Sequence, residues 1–230
     1  MIPKIIHYCW FGKKPKSSLI ENCIKSWGNY CPDYVITEWN EDNFDVHDHP
    51  FTHKMYREGK FAFVADYVRL KVLLQQGGIY LDTDMLLLQS LDSLLDTSLL
   101  LGKESEKYIS CGMIGSIPNH PFIEAMEKEY HVNTVLRPNP VIMTELFEKI
   151  NPENTTILPP SAFYPFDAHH IHEYKGQPLG DKVYGVHLWN YSWGHPLNKF
   201  FKKIGIYTIG KRVVEILRIK TIVKKILGFI

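Results

Sequence analysis

The chain has 230 residues, 45% of them apolar and 13% aromatic, enough to bury the core of one elaborated α/β domain rather than two independent ones. No run of eighteen apolar residues occurs, and Pro3 and Lys4 interrupt the N-terminus, so neither a membrane-spanning helix nor a secretory signal is expected. The net charge of +1 hides an asymmetry, because residues 199–230 carry nine basic side chains against one acid, Glu215, and the rest is acidic.

Lys4 to Tyr8 predicts a first parallel strand buried on both faces, with Trp10 just past its carboxyl end, where open α/β sheets bind ligands. Ser17 to Asn29 reads as a helix capped at Ser17 or Ser18, with Leu19, Cys23, Ile24 and Trp27 on one face. Tyr34 to Trp39 is a second strand. Phe61 to Gln76 predicts a helix that is apolar on nearly every side, yet it holds Asp66 and Arg69 three residues apart, and buried charges of opposite sign at that spacing can pair. Gly77-Gly78 supplies the positive φ that ends such a helix, after which Ile79 to Leu81 forms a short buried strand. Met85 to Leu88 continues extended, Leu99 to Gly102 and Ile109 to Ile114 are strands, and Pro121 to Tyr130 and Val141 to Ile150 are helices. Pro159 to Gly180 is irregular, and Val183 to Leu188 is a last strand. Cys9, Cys23, Cys31 and Cys111 lack C-x-x-C spacing, which argues against a zinc knuckle and for reduced, buried thiols of a cytosolic chain.

Asp82-Thr83-Asp84 stands at the end of the Ile79–Leu81 strand. In an extended backbone Asp82 and Asp84 project side by side, whereas a lone Asp-x-Asp after a strand also reads as a solvated turn. Adjacent carboxylates repel, and they either share a proton or bind a hard divalent cation such as Mn²⁺ or Mg²⁺. With no Lys or Arg between Lys71 and Lys103, a cation is the simpler local answer. Its open coordination positions suit the oxygens of a diphosphate.

The run Ala65-Asp66-Tyr67-Val68-Arg69-Leu70, then Gly77-Gly78-Ile79-Tyr80-Leu81-Asp82-Thr83-Asp84, resembles the DXD sugar-binding region of glycosyltransferase family 32. The opening Ile2 to Gly12 resembles the first strand of that family, and the likeness extends over most of residues 1–195. The family includes bacterial capsule and polysaccharide glycosyltransferases and fungal initiating mannosyltransferases, and its core recurs in large clostridial glucosylating toxins. The resemblance implies a GT-A type, Rossmann-like domain over residues 1–196, with a mixed, mainly parallel sheet flanked by helices. It implies a metal-dependent, retaining transfer of a hexose or N-acetylhexosamine from a UDP- or GDP-sugar to a glycan acceptor; the basic tail of residues 197–230 points to one that is lipid-linked. Asp84 would hold Mn²⁺ or Mg²⁺ directly, and Asp82 would hold it through water or contact the ribose. Asp66 and Arg69 match positions that contact the donor sugar and phosphates, and Tyr80 one near the ribose. Trp10 matches a base-stacking tryptophan; by position alone a core Trp fits equally well. His7 is read as structural.

His187-Leu188-Trp189-Asn190-Tyr191-Ser192-Trp193 suits a flap that closes over a sugar nucleotide and excludes water. His187 is a candidate third metal ligand, and Ser192 and Trp193 are candidates for the pyrophosphate. In residues 197–230 aliphatic side chains interleave with the cations at helical spacing, which predicts a basic amphipathic helical tail lying on the cytoplasmic face of the plasma membrane; a final helix packed on the domain with a solvated basic face fits the same spacing. A nucleic-acid partner is not expected, since the bulk of the chain is acidic. Two rival classes share parts of the pattern: a haloacid dehalogenase-type phosphotransferase, which places Asp-x-Asp after its first strand, and a non-catalytic sugar-nucleotide-binding module.

Overall fold

Ile6 and Tyr8 of the first strand, β1 (Ile5–Cys9), pack into one core layer with Trp27, while Cys9 joins a second layer, so the strand is buried on both faces. The computed structural model describes residues 1–132 and 137–190, and Met1–Trp189 forms one compact unit. From β1 the chain crosses through α1 (Ser18–Tyr30) to β2 (Val35–Trp39), which pairs parallel with β1. It then returns through α2 (Pro50–Arg57) and α3 (Phe61–Gln76) to β3 (Gly78–Leu81), on the other side of β1 and again parallel. The chain thus reverses its winding direction at β1, and the crevice at the carboxyl ends of β1 and β3 is where such sheets hold ligands.

After β3 come β4 (Met85–Leu87), β5 (Leu99–Lys103), β6 (Ile109–Ser116), α4 (Pro121–Val132), α5 (Asn139–Ile150), β7 (Thr155–Leu158) and β8 (Gly185–His187). The main sheet has the order β2-β1-β3-β6-β5-β7, with three of its five pairings parallel. Helices α3, α4 and α5 cover one face and α1 the other, as the expected mixed, mainly parallel α/β architecture requires.

Several expectations are corrected. Met85–Leu87 does not prolong β3: it leaves the main sheet and pairs antiparallel with β8 in a separate two-stranded sheet. Between them Asp82-Thr83-Asp84 is a turn, closed by the Met85 N–H donating to the Asp82 carbonyl at 2.9 Å, so the two carboxylates do not sit side by side on an extended strand. The buried face of α1 runs through Ile20, Cys23, Ser26 and Trp27, and Leu19 is 38% exposed. The cause is polar: the Ser26 hydroxyl accepts from the Leu87 N–H at 3.0 Å, and the Trp27 indole donates to the Met85 carbonyl at 2.7 Å, which fixes the rotation of the helix against β4. Helix α2 and strand β7 have no counterpart in the expected elements. The N-terminus of α2 is set by Pro50 in the first turn and by His49, whose ring accepts from the Phe51 N–H. Among the described residues no helix is long and apolar enough to cross a membrane. The tail, residues 197–230, lies outside the described residues.

Candidate active site

Helix α3 delivers the buried charges. Arg69 is 6% exposed and spends its guanidinium on fixed partners: Nη2 donates to Asp66 Oδ1 at 2.7 Å, Nη1 donates to the Cys111 carbonyl, and Nε reaches the Ala65 carbonyl at 3.4 Å. Its Cζ lies 4.6 Å from the centroid of the Tyr80 ring. Nη2 also stands 3.5 Å from Asp82 Oδ1. The absence of a basic residue between Lys71 and Lys103 was therefore a poor guide, because a cation from the preceding helix already faces the first Asp of the motif.

The helix ends at Gly77 (φ 65°) and Gly78 (φ 96°). A Cβ on Gly77 would come within 2.8 Å of the Ser116 carbonyl, and one on Gly78 within 2.7 Å of the Ile5 carbonyl, so both the conformation and the space demand glycine. This tight exit drops the chain directly into β3. At its end the Asp82 N–H donates to the Gly112 carbonyl at 2.8 Å, and the Tyr80 hydroxyl donates to Asp82 Oδ1 at 3.2 Å. Strand β8 pairs Met85 with His187, and the Leu188 N–H donates to the Asp84 carbonyl at 2.9 Å. His187 Nε2 then lies 3.1 Å from Asp84 Oδ1 and 3.9 Å from Asp82 Oδ2.

Asp82, Asp84 and His187 thus offer ligand atoms all within 4.8 Å of one another, the sole such cluster among the described residues. Two carboxylate oxygens and one imidazole nitrogen fit a hard to borderline divalent cation such as Mn²⁺ or Mg²⁺. Burial opposes protonation of His187, but Asp84, Asp82 and Glu104 outweigh it and hold the imidazole pKa above its ordinary value. The pocket is therefore an electronegative well that favours a cation on that nitrogen. The other nitrogen, Nδ1, is buried without a hydrogen-bond partner among the described residues. The ring is oriented by packing instead, edge-on to Trp189 at 4.4 Å and beside Tyr164 at 5.3 Å. For Asp66, burial pushes the carboxyl up to about 6, Arg69 opposes the rise and Asp82 adds to it.

The remaining candidates fall into three groups. Trp10 is half-buried at the carboxyl end of β1, with its indole donating to the Lys14 carbonyl at 2.6 Å and Lys16 Nζ 5.7 Å from its ring. It packs against the edge of the core layer around Trp27 without being enclosed by it. Tyr80 is 2% exposed and meets Arg69 and Asp82, so it supports the carboxylate rather than presenting a face to the crevice. His7 is structural: Nδ1 accepts from the Trp39 indole at 3.1 Å, and Nε2 therefore donates to the Gly77 carbonyl at 2.9 Å. Ser192 and Trp193 lie outside the described residues. Tyr164, Trp189 and Glu104 surround His187 without having been singled out; Trp189 lay within the aromatic segment, but Tyr164 and Glu104 carried no signal.

Comparison with known proteins gives a concordant result. The family described as a glycosyltransferase sugar-binding region containing a DXD motif matches residues 17–101. The chain is 29% identical over 147 residues to an alpha-1,4-N-acetylglucosaminyltransferase of Homo sapiens, covering 55% of this chain and 42% of that protein. It is 30% identical over 183 residues to inositol phosphoceramide mannosyltransferase 2 of Schizosaccharomyces pombe, covering 71% of this chain and 50% of that one. The chain therefore spans about half the length of these relatives or less. Its fold is similar to that of the solved PaToxG glycosyltransferase, with a TM-score of 0.52 and 20% identity over 65% of this chain and 70% of the other.

Proposed function

The chain belongs to the family of glycosyltransferases whose sugar-binding region contains a DXD motif, and on that premise we propose that it moves a hexose or N-acetylhexosamine from a UDP- or GDP-sugar to a glycan hydroxyl, dependent on a divalent cation and with retention of anomeric configuration. The observation that carries the reading is the meeting of Asp82, Asp84 and His187 within 4.8 Å at the end of β3, beside the buried Asp66–Arg69 pair.

A cation held by those three residues would neutralise charge gathering on the leaving diphosphate. The chain's own groups do the rest. Tyr80 and the Gly112 carbonyl fix Asp82, and Asp66 and the Cys111 carbonyl fix Arg69, so that carboxylate and guanidinium are in place before the donor arrives. Trp10 offers its ring to the base. In the transfer, the bond from the anomeric carbon to the phosphate oxygen breaks and leaves its electron pair on the diphosphate. The acceptor oxygen bonds to that carbon, and its proton passes to the departing phosphate oxygen.

The acceptor is a lipid-linked glycan in polysaccharide or glycoconjugate synthesis, such as a capsule. Support comes from the ceramide named for the Schizosaccharomyces pombe relative and from the basic aliphatic tail, which would bring the site to the anionic cytoplasmic leaflet. The position of Asp-x-Asp after the third strand, where a haloacid dehalogenase-type enzyme would have it after the first, favours sugar transfer over phosphoryl transfer.

The test is a panel of nucleotide sugars with Mn²⁺, read by thermal shift and by donor hydrolysis. A donor at a hundred times its Kd stabilises the fold by ~2.7 kcal/mol. No metal-dependent shift with any donor overturns the reading. Hydrolysis of generic phosphate esters instead would assign the phosphotransferase, and binding without turnover the non-catalytic module.

A further inference from the structure

We propose that Glu104 contacts the substrate at this site, its carboxylate accepting a hydrogen bond from a sugar hydroxyl next to the reacting centre. The proposal rests on reading Asp82, Asp84 and His187 as the donor site, and it adds a residue that lies outside the metal cluster and the DXD region.

Glu104 directly follows β5, where its N–H donates to the Tyr108 carbonyl at 3.0 Å and closes the β5–β6 hairpin. Two residues earlier, a Cβ on Gly102 would stand 3.8 Å from the Phe163 ring and 3.9 Å from the Tyr164 ring. The register of β5 against β6 shifts between Leu101 and Lys103, so Glu104 leaves the strand past an irregularity, at the turn of the hairpin whose inner face meets Tyr164. Tyr164 in turn packs on His187 and Trp189. On the partner strand, a Cβ at Gly112 would approach Asp82 Oδ2 to 2.7 Å and the Tyr164 hydroxyl to 2.8 Å, so the hairpin is the wall against which Asp82 lies. Glu104 accordingly stands within electrostatic reach of Asp82, His187 and Tyr164 at once.

What sets Glu104 apart is its lack of donors. Asp66 has Arg69, Asp82 has Tyr80, Glu127 has Tyr67, and Glu38 has Tyr8 and Lys16. Among the described residues the half-buried Glu104 carboxylate accepts no hydrogen bond; burial raises its pKa, His187 opposes that rise and Asp82 adds to it. A carboxylate withdrawn from water without donors is costly, and an incoming ligand that supplies them recovers the loss. The diphosphate cannot be that ligand, because it carries the same sign of charge. A neutral hydroxyl can, and the donor sugar and the acceptor both present hydroxyls where the leaving diphosphate meets the cation.

The experiment uses the full chain with Glu104→Gln and Glu104→Ala. Binding of Mn²⁺ with UDP or GDP should weaken modestly and equally in both variants, since Glu104 adds to the negative field at His187, whereas sugar transfer should fall about 10- to 100-fold beyond that loss, the usual worth of a hydrogen bond to a charged group. If the hydroxyl belongs to the donor, donor hydrolysis falls with transfer, and the nucleotide sugar loses its affinity advantage over the bare nucleoside diphosphate. If it belongs to the acceptor, hydrolysis persists and the KM for acceptor rises. Unchanged transfer in both variants would overturn the proposal, as would a loss of Mn²⁺ and nucleotide binding as large as the loss of transfer, which would make Glu104 part of the cation site. Glu104→Gln removes an unpaired charge and should unfold at no lower urea concentration than wild type, so that variant decides if Glu104→Ala proves unstable. Failure of wild type to bind any nucleoside diphosphate with Mn²⁺ would be seen before any substitution, and it would remove the donor-site reading and this contact together.

Discussion

Replacing Arg69 with Met separates what the buried ion pair does for the fold from what it does for the site. Arg69 is 6% exposed, and its removal leaves Asp66, the Cys111 carbonyl and Asp82 short of a partner. Breaking a buried pair by deleting one member costs ~3–5 kcal/mol, and an orphaned carbonyl adds about 1–3 kcal/mol. The Asp66 and Asp82 side chains retain 21% and 30% exposure, so water recovers part of this, and the expected loss is about 3 kcal/mol. Adding Asp66→Asn to the Arg69→Met chain should restore at least half of that loss, since the stranded charge is gone. Donor binding should not return, because the guanidinium beside Asp82 is still missing. Urea denaturation at pH 7.5 in EDTA gives the stabilities, and titration with Mn²⁺ and nucleotide sugar gives the binding. A cost below about 1 kcal/mol for Arg69→Met, or no recovery in the double variant, would refute the reasoning.

Asp84→Asn should reduce transfer by ~10³-fold or more, and chelation of wild type should do the same; full activity in excess EDTA would sink the metal assignment. Trp10→Ala should weaken donor binding by about 1–2 kcal/mol while the urea midpoint holds, since Trp10 is half-buried, and an unfolded variant would return it to the core. Asp66 binds its proton more tightly in the folded chain, with a pKa of about 6 against 3.8, so it contributes stability at low pH that is lost as the pH rises through 6. Relative to Asp66→Asn, apo wild type should lose up to ~3 kcal/mol between pH 4 and pH 6.5 in urea titrations, and a flat difference would contradict the burial of this carboxyl. Deleting residues 197–230 should release the protein from anionic liposomes, each tail cation having contributed up to ~1 kcal/mol, while donor hydrolysis in solution survives; equal flotation of both forms would refute the anchor.

The legible part of the site lies within the single stretch from Phe61 to Met85, where local rules decide the structure. An apolar helix with charges at i and i+3 must pair them, and a Gly-Gly step must end it, so Asp66, Arg69 and the place of the motif could be read directly. The conformation of the motif could not. Whether Asp82 to Asp84 runs extended or turns depends on where Met85 goes, and Met85 is drawn out of the sheet by β8, far along the chain. Arg69 reaching Asp82 is equally invisible, since a search for cations near in sequence misses one carried by the preceding helix. Helix α2 and strand β7 escaped because the cap of one is a His rather than Ser, Thr, Asp or Asn, and the other is a half-buried edge strand with no continuous apolar run.

The hidden half of the site is also the half with the most remote support. His187 reaches the carboxylates because β8 pairs with β4, and β4 in turn holds its place because α1 grips both its ends, with Trp27 donating to the Met85 carbonyl and Ser26 accepting from the Leu87 N–H. Among the described residues its Nδ1 has no hydrogen-bond partner, so the ring is held by its packing on Trp189 and Tyr164 and by the contact of Nε2 with Asp84. Tyr164 is itself tied by a hydrogen bond to Ser110 on β6, the strand that receives the Asp82 N–H. His187 and Asp82 thus share one strand as their common support. A change on β6 therefore moves the imidazole and the carboxylate together, whereas a change in α1 moves Asp84 and His187 and leaves the Arg69–Asp66 pair where it is.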